Sequence, residues 1–174
     1  RSAWPSSKPQ PLRKSGSIWP KPSVGTPPPT DRCGAERPAP IYLGLMSGTS
    51  LDGVDAVAVR FDPSGAMRVL GHVHEALPQA LSSELLALNS SGPNELHRAA
   101  LAANALASTY ARAVARLLSA AALAPDQVRA LGAHGQTVRH RPGEFDGTGY
   151  TVQLLNGALL AELAGIDVVC DLRS

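Results

Sequence analysis

One short segment carries residue types that can hold a phosphate group. Residues 48–53, Gly-Thr-Ser-Leu-Asp-Gly, lie between two apolar runs, so we expect a hairpin loop presented at a sheet edge. Glycines permit close backbone approach, successive amides in such a turn form an anion site, and Thr49 and Ser50 add hydroxyl donors. Asp52 adds a carboxylate of the kind that binds Mg²⁺. The segment predicts a phosphate loop without a lysine, although composition alone fits an ordinary Gly-Ser hairpin equally well.

A second polar segment, residues 134–140, reads His-Gly-Gln-Thr-Val-Arg-His and follows a short apolar run. Three interpretations are open for it. His134 and His140 could bind a metal, but zinc sites need a further ligand that this pair does not supply. The segment could be a polar turn at a strand end, with His134 structural. In the third interpretation, His134, Gln136 and Thr137 line a sugar site or the cleft between two lobes.

A third segment places Asp171 and Arg173 directly after the apolar run 166–170. Ligands of α/β proteins bind at the carboxyl ends of sheet strands, so we expect this pair to line the substrate site or the interlobe cleft. A surface ion pair is the alternative. No partner pattern is visible for the other histidines, which are His72, His74 and His97. Two arginines one helical turn apart, Arg112 and Arg116, indicate a solvated helix face.

The elements that must position these segments follow from the hydrophobic periodicity. A buried strand is predicted over 41–46, and alternation predicts strands over 54–61 and 67–75 with a turn at 62–65. These three strands form an antiparallel meander. Further strands are predicted over 131–134, 150–154 and 166–170.

Helices are predicted over 78–88, from Asn94 to about Leu123, and over 157–164 with Gly165 as the C-terminal stop. The second helix has an apolar stripe of Ala99, Ala103, Leu106, Tyr110, Val114 and Leu117. A meander that continues as alternating helices and strands predicts an α/β fold with a mixed sheet. This order is similar to the ribonuclease-H-like lobe of the actin, hexokinase and heat-shock ATPase superfamily, here incomplete.

Residues 1–40 differ in composition from the rest of the chain. They contain ten of the fifteen prolines, and seven Lys or Arg against two acids give them a net charge of +5. Such a segment cannot bury enough apolar surface to fold, so we predict a disordered extension. Its basic residues are not interleaved with aromatic ones in a folded patch, so we expect no nucleic-acid partner.

Cysteine usage and hydropathy narrow the class of protein further. Cys33 and Cys170 form neither a disulfide framework nor a zinc spacing. No apolar run reaches the ~18–20 residues that span a bilayer. We therefore expect a cytoplasmic protein with no membrane partner.

Three segments in order resemble the anhydro-N-acetylmuramic acid kinases. Residues 42–55 are similar to the N-terminal signature of that family, 134–140 to its internal signature, and 159–169 to the segment that follows. The resemblance covers about residues 41–174. It implies an N-terminal piece of such an enzyme, with a truncated N-terminal lobe over 41–174 behind the extension.

The resemblance also implies an activity. Such kinases act in peptidoglycan recycling in the cytoplasm and bind ATP and Mg²⁺ between two lobes. They add water across the 1,6-anhydro bond of the amino sugar while phosphorylating oxygen 6, and the full-length enzyme is expected to be a homodimer. By position, Asp52 would place the metal, and the ATP-binding stretch would be Gly48, Thr49, Ser50, Leu51, Asp52, Gly53, Val54 and Asp55.

Some positions depart from the family pattern. Leu155 stands where a glycine is usual, which predicts a strained or shifted turn, and Leu172 replaces a phenylalanine. The general base of the family is an aspartate in a later Asp-x-Gly-Pro-Gly-Asn motif, so no catalytic residue is assigned here and we expect this segment to be inactive alone. Another actin-like sugar or acyl kinase and a non-catalytic remnant are the alternatives.

Overall fold

The computed structural model of the chain describes residues 39–173. The predicted disordered extension over 1–40 therefore lies almost entirely outside the described residues. The elements follow in the order β1 (Ile41–Ser47), β2 (Gly53–Phe61), β3 (Met67–Ala76), α1 (Gln79–Ala87), α2 (Glu95–Ala120), β4 (Val128–Ala133), β5 (Gln136–Pro142), β6 (Gly149–Leu154), α3 (Gly157–Ala164) and β7 (Val168–Val169), with a 3₁₀ turn at Pro125–Gln127.

The main sheet has five strands in the order β3-β2-β1-β4-β7. β1, β2 and β3 pair antiparallel, whereas β4 is parallel to β1 and β7 is parallel to β4. The predicted meander and the mixed α/β sheet are confirmed. Because β1 is the central strand, the loop between β1 and β2 lies at the end of the middle strands and not at a sheet edge, which corrects the expected placement.

The segment after β4 is a strand that the sequence did not predict. β5 pairs antiparallel with β6 in a separate two-stranded sheet. Only Gln136 and Val138 of β5 are buried, so the apolar alternation that marks a strand is almost missing from it. The predicted strand over 150–154 is observed as β6, but it pairs with β5 and not with the main sheet. The interpretation of this segment as a polar turn at a strand end therefore holds for His134 and Gly135 but not for residues 136–140, which belong to β5.

The core lies between one face of the main sheet and α2. Leu106, Tyr110, Val114 and Leu117 of the predicted stripe are almost fully buried, whereas its first two alanines are only partly buried. Burying one large apolar side chain contributes ~1.5–3 kcal/mol, so this stripe is a major part of the stability. The helix lies close to the sheet at Gly71, where an added Cβ would be 3.3 Å from the Cβ of Ala121.

The helix ends agree only partly with expectation. Asn94 occupies the N-cap position of α2, but its backbone is left-handed and its side chain makes no capping hydrogen bond. At the same end, the amide of Gly92 donates to Oε2 of Glu95. For α3, Asn156 Oδ1 accepts from the amide of Leu159 at 3.0 Å, and Gly165 ends the helix in the left-handed conformation, as predicted.

A cluster of charges joins α2 to β3. Arg112 Nε and Arg116 Nη1 donate to the two carboxylate oxygens of Glu75, and Arg116 also donates to the carbonyl of His74. Both arginines are exposed, as a solvated helix face predicts, and the pairing with Glu75 is an addition that the sequence did not indicate. The hydrogen bonds from Arg116 and then from Arg112 lower the pKa of Glu75, so its carboxylate stays ionised at neutral pH.

We predict that Glu75→Gln destabilises the chain by ~1 kcal/mol at pH 7, because it removes the charge that both arginines share. Since the folded pKa of Glu75 is lowered, this contribution is present above the ordinary glutamate pKa and disappears as pH falls through the folded value. The difference between wild type and variant should therefore shrink below pH ~4. Urea unfolding at several pH values measures it.

Glu144→Gln is the matched control, because the ion pair of Glu144 with Arg141 is exposed and 3.7 Å long. Its effect should stay within ~0.5 kcal/mol at every pH. Equal effects of the two substitutions would contradict the role assigned to Glu75.

Candidate active site

The loop between β1 and β2 is a tight turn. The amide of Leu51 donates to the carbonyl of Gly48 at 3.3 Å, and Leu51 has a left-handed backbone with φ of 55°. A leucine in this conformation is strained, because its Cβ approaches the following carbonyl oxygen. Surrounding contacts must therefore hold the loop in this shape.

Three contacts hold it. Ser82 Oγ on α1 donates to the carbonyl of Leu51 at 2.9 Å. The amide of Leu77, between β3 and α1, donates to the carbonyl of Asp52 at 3.0 Å. The Leu51 side chain packs against the core. The backbone of the loop is therefore fixed by α1 and the end of β3.

The polar side chains of the loop remain at the surface. Thr49, Ser50 and Asp52 are exposed. Ser50 Oγ donates to Asp52 Oδ1 at 2.7 Å, and this bond lowers the pKa of Asp52. Mg²⁺ in phosphate sites is held by one or two carboxylates together with phosphate oxygens, so an ionised, oriented Asp52 fits that donor set.

The second half of the predicted ATP-binding stretch is less exposed than the first. Gly53 is buried against β3, and Val54 points into the core with no exposed surface. Because side chains alternate along a strand, Asp55 lies on the opposite face of the sheet. The eight residues therefore do not form one continuous surface, and Val54 contributes to packing.

Asp55 belongs to a cluster that sequence reasoning missed. His72 Nε2 and His74 Nδ1 lie 3.1 and 3.3 Å from Asp55 Oδ1. The sequence shows no partner pattern for these two histidines, but in the structure both are exposed and both contact Asp55. The sequence feature that could have indicated this cluster is the His-x-His pair, because residues two apart lie on the same face of a strand. The register that places Asp55 beside the two rings is set only when β2 and β3 pair in the sheet.

Asp55 and His134 line one cavity of about 480 Å³ on this face. His72, Met46 and Leu172 also line it, and no helix does. The amide of His134 donates to the carbonyl of Leu45 at 3.0 Å. The end of β4 is thereby tied to the end of β1, so the second predicted segment begins beside the strand that leads into the first.

The rest of the second segment is largely buried. Gln136 is 2% exposed, and its Oε1 has no hydrogen-bond partner among the described residues. Thr137 Oγ1 accepts from Gln153 Nε2 at 3.0 Å. His140 Nδ1 instead lies 2.9 Å from Thr151 Oγ1. Across residues 39–173, no three His, Cys, Asp or Glu side chains are grouped to hold a metal ion.

The third segment follows β7. Asp171 and Arg173 are exposed, and Asp171 has a left-handed backbone with φ of 61°. Leu172 between them contributes to the cavity beside His134. Leu155 is not among the described residues with positive φ and packs against the core, so the missing glycine requires no left-handed backbone there.

A mixed α/β sheet with an exposed Gly-Thr-Ser-Leu-Asp loop at the ends of its central strands is compatible with a kinase domain. The family model of anhydro-N-acetylmuramic acid kinase matches residues 40–174. The chain therefore belongs to the anhydro-N-acetylmuramic acid kinase family.

Curated proteins named anhydro-N-acetylmuramic acid kinase agree with this assignment. The chain is 67% identical to one from Albidiferax ferrireducens over 135 residues, which are 77% of this chain and 34% of that protein. It is 58% identical to one from Variovorax paradoxus (77% and 36%) and 60% identical to one from Bordetella avium (81% and 36%). The chain spans about a third of the length of these relatives.

Hydropathy of the helices adds one finding. Among the helices of residues 39–173, none combines the length and the apolar character that crossing a bilayer requires.

We predict that Gly53→Ala destabilises the chain by ~1–3 kcal/mol. An added Cβ would lie 2.6 Å from the carbonyl oxygen of Glu75 and would overlap the His74 ring. The His74 ring could rotate away, but the Glu75 carbonyl oxygen is backbone, so β3 itself must move. Gly44→Ala is the control, since its Cβ would make only an ordinary 3.5 Å contact with Val57. If urea unfolding gave the two variants equal stability, close packing at Gly53 would be refuted.

Proposed function

We propose that this chain forms the phosphate-binding, N-terminal lobe of an ATP- and Mg²⁺-dependent kinase of 1,6-anhydro-N-acetylmuramic acid. The observation that carries the proposal is the family signature in an exposed loop whose backbone is fixed and whose hydroxyls and carboxylate are accessible. The reaction adds water across the anhydro bond and transfers a phosphoryl group to oxygen 6. Its products are N-acetylmuramic acid 6-phosphate and ADP.

The fold we propose is the ribonuclease-H-like lobe of the actin, hexokinase and heat-shock ATPase superfamily. Three antiparallel strands followed by parallel strands in the order β3-β2-β1-β4-β7 support it. In such an arrangement the loop between the first two strands lies at the ends of the central strands. That is the position of the residues 48–52 in this chain.

The loop residues have different roles in the proposed site. A serine hydroxyl has one proton to donate, and Ser50 donates its proton to Asp52. We therefore assign Thr49 as the donor to a phosphate oxygen and Ser50 as the residue that orients Asp52. Asp52 holds Mg²⁺, which supplies neutralisation of phosphate charge.

The sugar is assigned to the side of the site formed by the second and third segments. His134 lines the cavity next to Asp55, and Gln136 has a buried amide oxygen without a partner. Thr137, Asp171 and Arg173 complete the proposed sugar or interlobe lining. The general base is expected outside residues 1–174, so this lobe alone should not turn over substrate.

The biological setting is proposed from the family as a whole. We infer a role in peptidoglycan recycling in the cytoplasm, with the complete enzyme acting as a homodimer. The names of the relatives give the sugar that those proteins phosphorylate.

The test uses a hybrid enzyme in which residues 40–174 replace the matched segment of the Albidiferax ferrireducens relative. It should phosphorylate the anhydro sugar and not ordinary hexoses. Asp52→Asn should lower kcat/KM by ~100-fold, which corresponds to ~2.7 kcal/mol of transition-state stabilisation, and should raise the Mg²⁺ concentration needed for half-maximal rate. Thr49→Ala should weaken ATP binding.

Asp62→Asn is a closely matched control. Asp62 Oδ1 accepts from Ser64 Oγ at 2.6 Å, and that bond lowers the pKa of Asp62, but this pair lies at the other end of β2. Its substitution should leave kcat/KM within ~2-fold. An active hybrid whose ATP and Mg²⁺ dependence were unchanged by both Thr49→Ala and Asp52→Asn would refute the assignment of the loop.

A further inference from the structure

We propose that Tyr110 is a positioning residue that locks the phosphate loop to the turn after β4 through a buried chain of hydrogen bonds. Tyr110 lies in the middle of α2 and does not line the cavity beside His134. The inference rests on the proposed function only for its catalytic consequence. The hydrogen-bond chain and its effect on backbone mobility can be tested without catalysis.

The chain of hydrogen bonds starts at the last residue of β1. Ser47 is 3% exposed and Tyr110 is fully buried. Ser47 Oγ lies 3.0 Å from Tyr110 Oη and 3.4 Å from the carbonyl oxygen of Gly135. One serine hydroxyl therefore contacts both the helix and the turn that follows β4, immediately before the loop begins at Gly48.

The protons in this chain have one consistent arrangement. A carbonyl oxygen only accepts, so Ser47 donates to Gly135, and Tyr110 must then donate to Ser47. Burial raises the pKa of Tyr110, so the phenol keeps its proton at neutral pH. The order Tyr110 to Ser47 to Gly135 satisfies every member, which matters because an unpaired buried polar group is costly.

The turn at Gly135 is held from its other side by β6. Gly135 has φ of 73°, and an added Cβ would lie 2.8 Å from the carbonyl oxygen of Leu154. His134 Nδ1 also lies 2.9 Å from the Gly135 carbonyl oxygen. The position of this carbonyl therefore sets where His134 and Gln136 stand relative to the loop that begins after Ser47.

This arrangement separates the role of the hydroxyl from that of the ring. The Tyr110 ring fills the core between α2 and the sheet, whereas its hydroxyl bonds to the Ser47 hydroxyl and also interacts with the backbone of Ser47 and Gly135. Tyr110→Phe keeps the ring and removes the bond that orients the Ser47 hydroxyl. The Ser47–Gly135 bond and the bond from the His134 amide to the Leu45 carbonyl are then left to hold the loop to the turn less rigidly. Misalignment of two reacting groups lowers the catalytic rate even when each ligand still binds.

The kinetic test uses the hybrid enzyme described above. Tyr110→Phe should lower kcat by ~10-fold while KM for ATP changes less than ~2-fold. Ser47→Ala should give a similar loss, and the double variant should lose no more than either single one, because both act through the same chain. Tyr42→Phe removes the hydroxyl of a partly buried tyrosine at the other end of β1 and should leave kcat unchanged.

The second readout is hydrogen exchange in the full 174-residue chain, which requires no activity. Tyr110→Phe should raise the exchange rates of the loop amides and of the His134–Gln136 amides together, by ~5-fold, whereas Tyr42→Phe should raise neither. Two results would overturn the proposal: an exchange rate that rises equally over the whole chain, or a loss of kcat equal to the fraction of the variant that is unfolded. Either result would mean that Tyr110 contributes only to packing. If the wild-type hybrid were inactive, the proposed function would fail, and the exchange result would still decide the link.

Discussion

The packing of α2 across one face of the main sheet is the contact on which the other features depend. Along its length this helix meets the end of β1 through Tyr110, the middle of β3 at Gly71 and the end of β3 through the arginines that bind Glu75. A helix is stiff over such a distance. One rigid element therefore fixes the relative positions of the strand ends from which the candidate site is built.

One face of the main sheet forms the hydrophobic core, and the other face carries the polar side chains of the candidate site. The helix face buries the apolar residues of β1, β2 and β4. The opposite face carries Asp55, His72 and His134 around an open cavity that no helix lines. Polar groups at this face can contact a ligand without leaving an unsatisfied group in the core. The exposed loop residues Thr49 and Asp52 lie between the end of β1 and the start of β2.

Local patterns predicted the meander and the helices, because strands and helices each have a characteristic hydrophobic period in the sequence. The polar loop was predicted from its residue types. Local patterns did not predict β5, in which a buried glutamine replaces an apolar residue at position 136. Nor did they place Val54 in the core and Asp55 on the open face, although strand alternation implies it. The contacts of Asp55 with His72 and of Ser47 with Tyr110 depend on register and helix placement, which no local pattern contains.

The left-handed backbone of Leu51 has a consequence for how a ligand would bind. Such a backbone costs ~1–2 kcal/mol for a residue with a side chain, and Ser82 and the core hold it in place without a ligand. Little conformational entropy is then left to lose upon association. A preorganised loop of this kind would bind a ligand with a small entropic penalty, because its shape is set by the fold and not by the ligand.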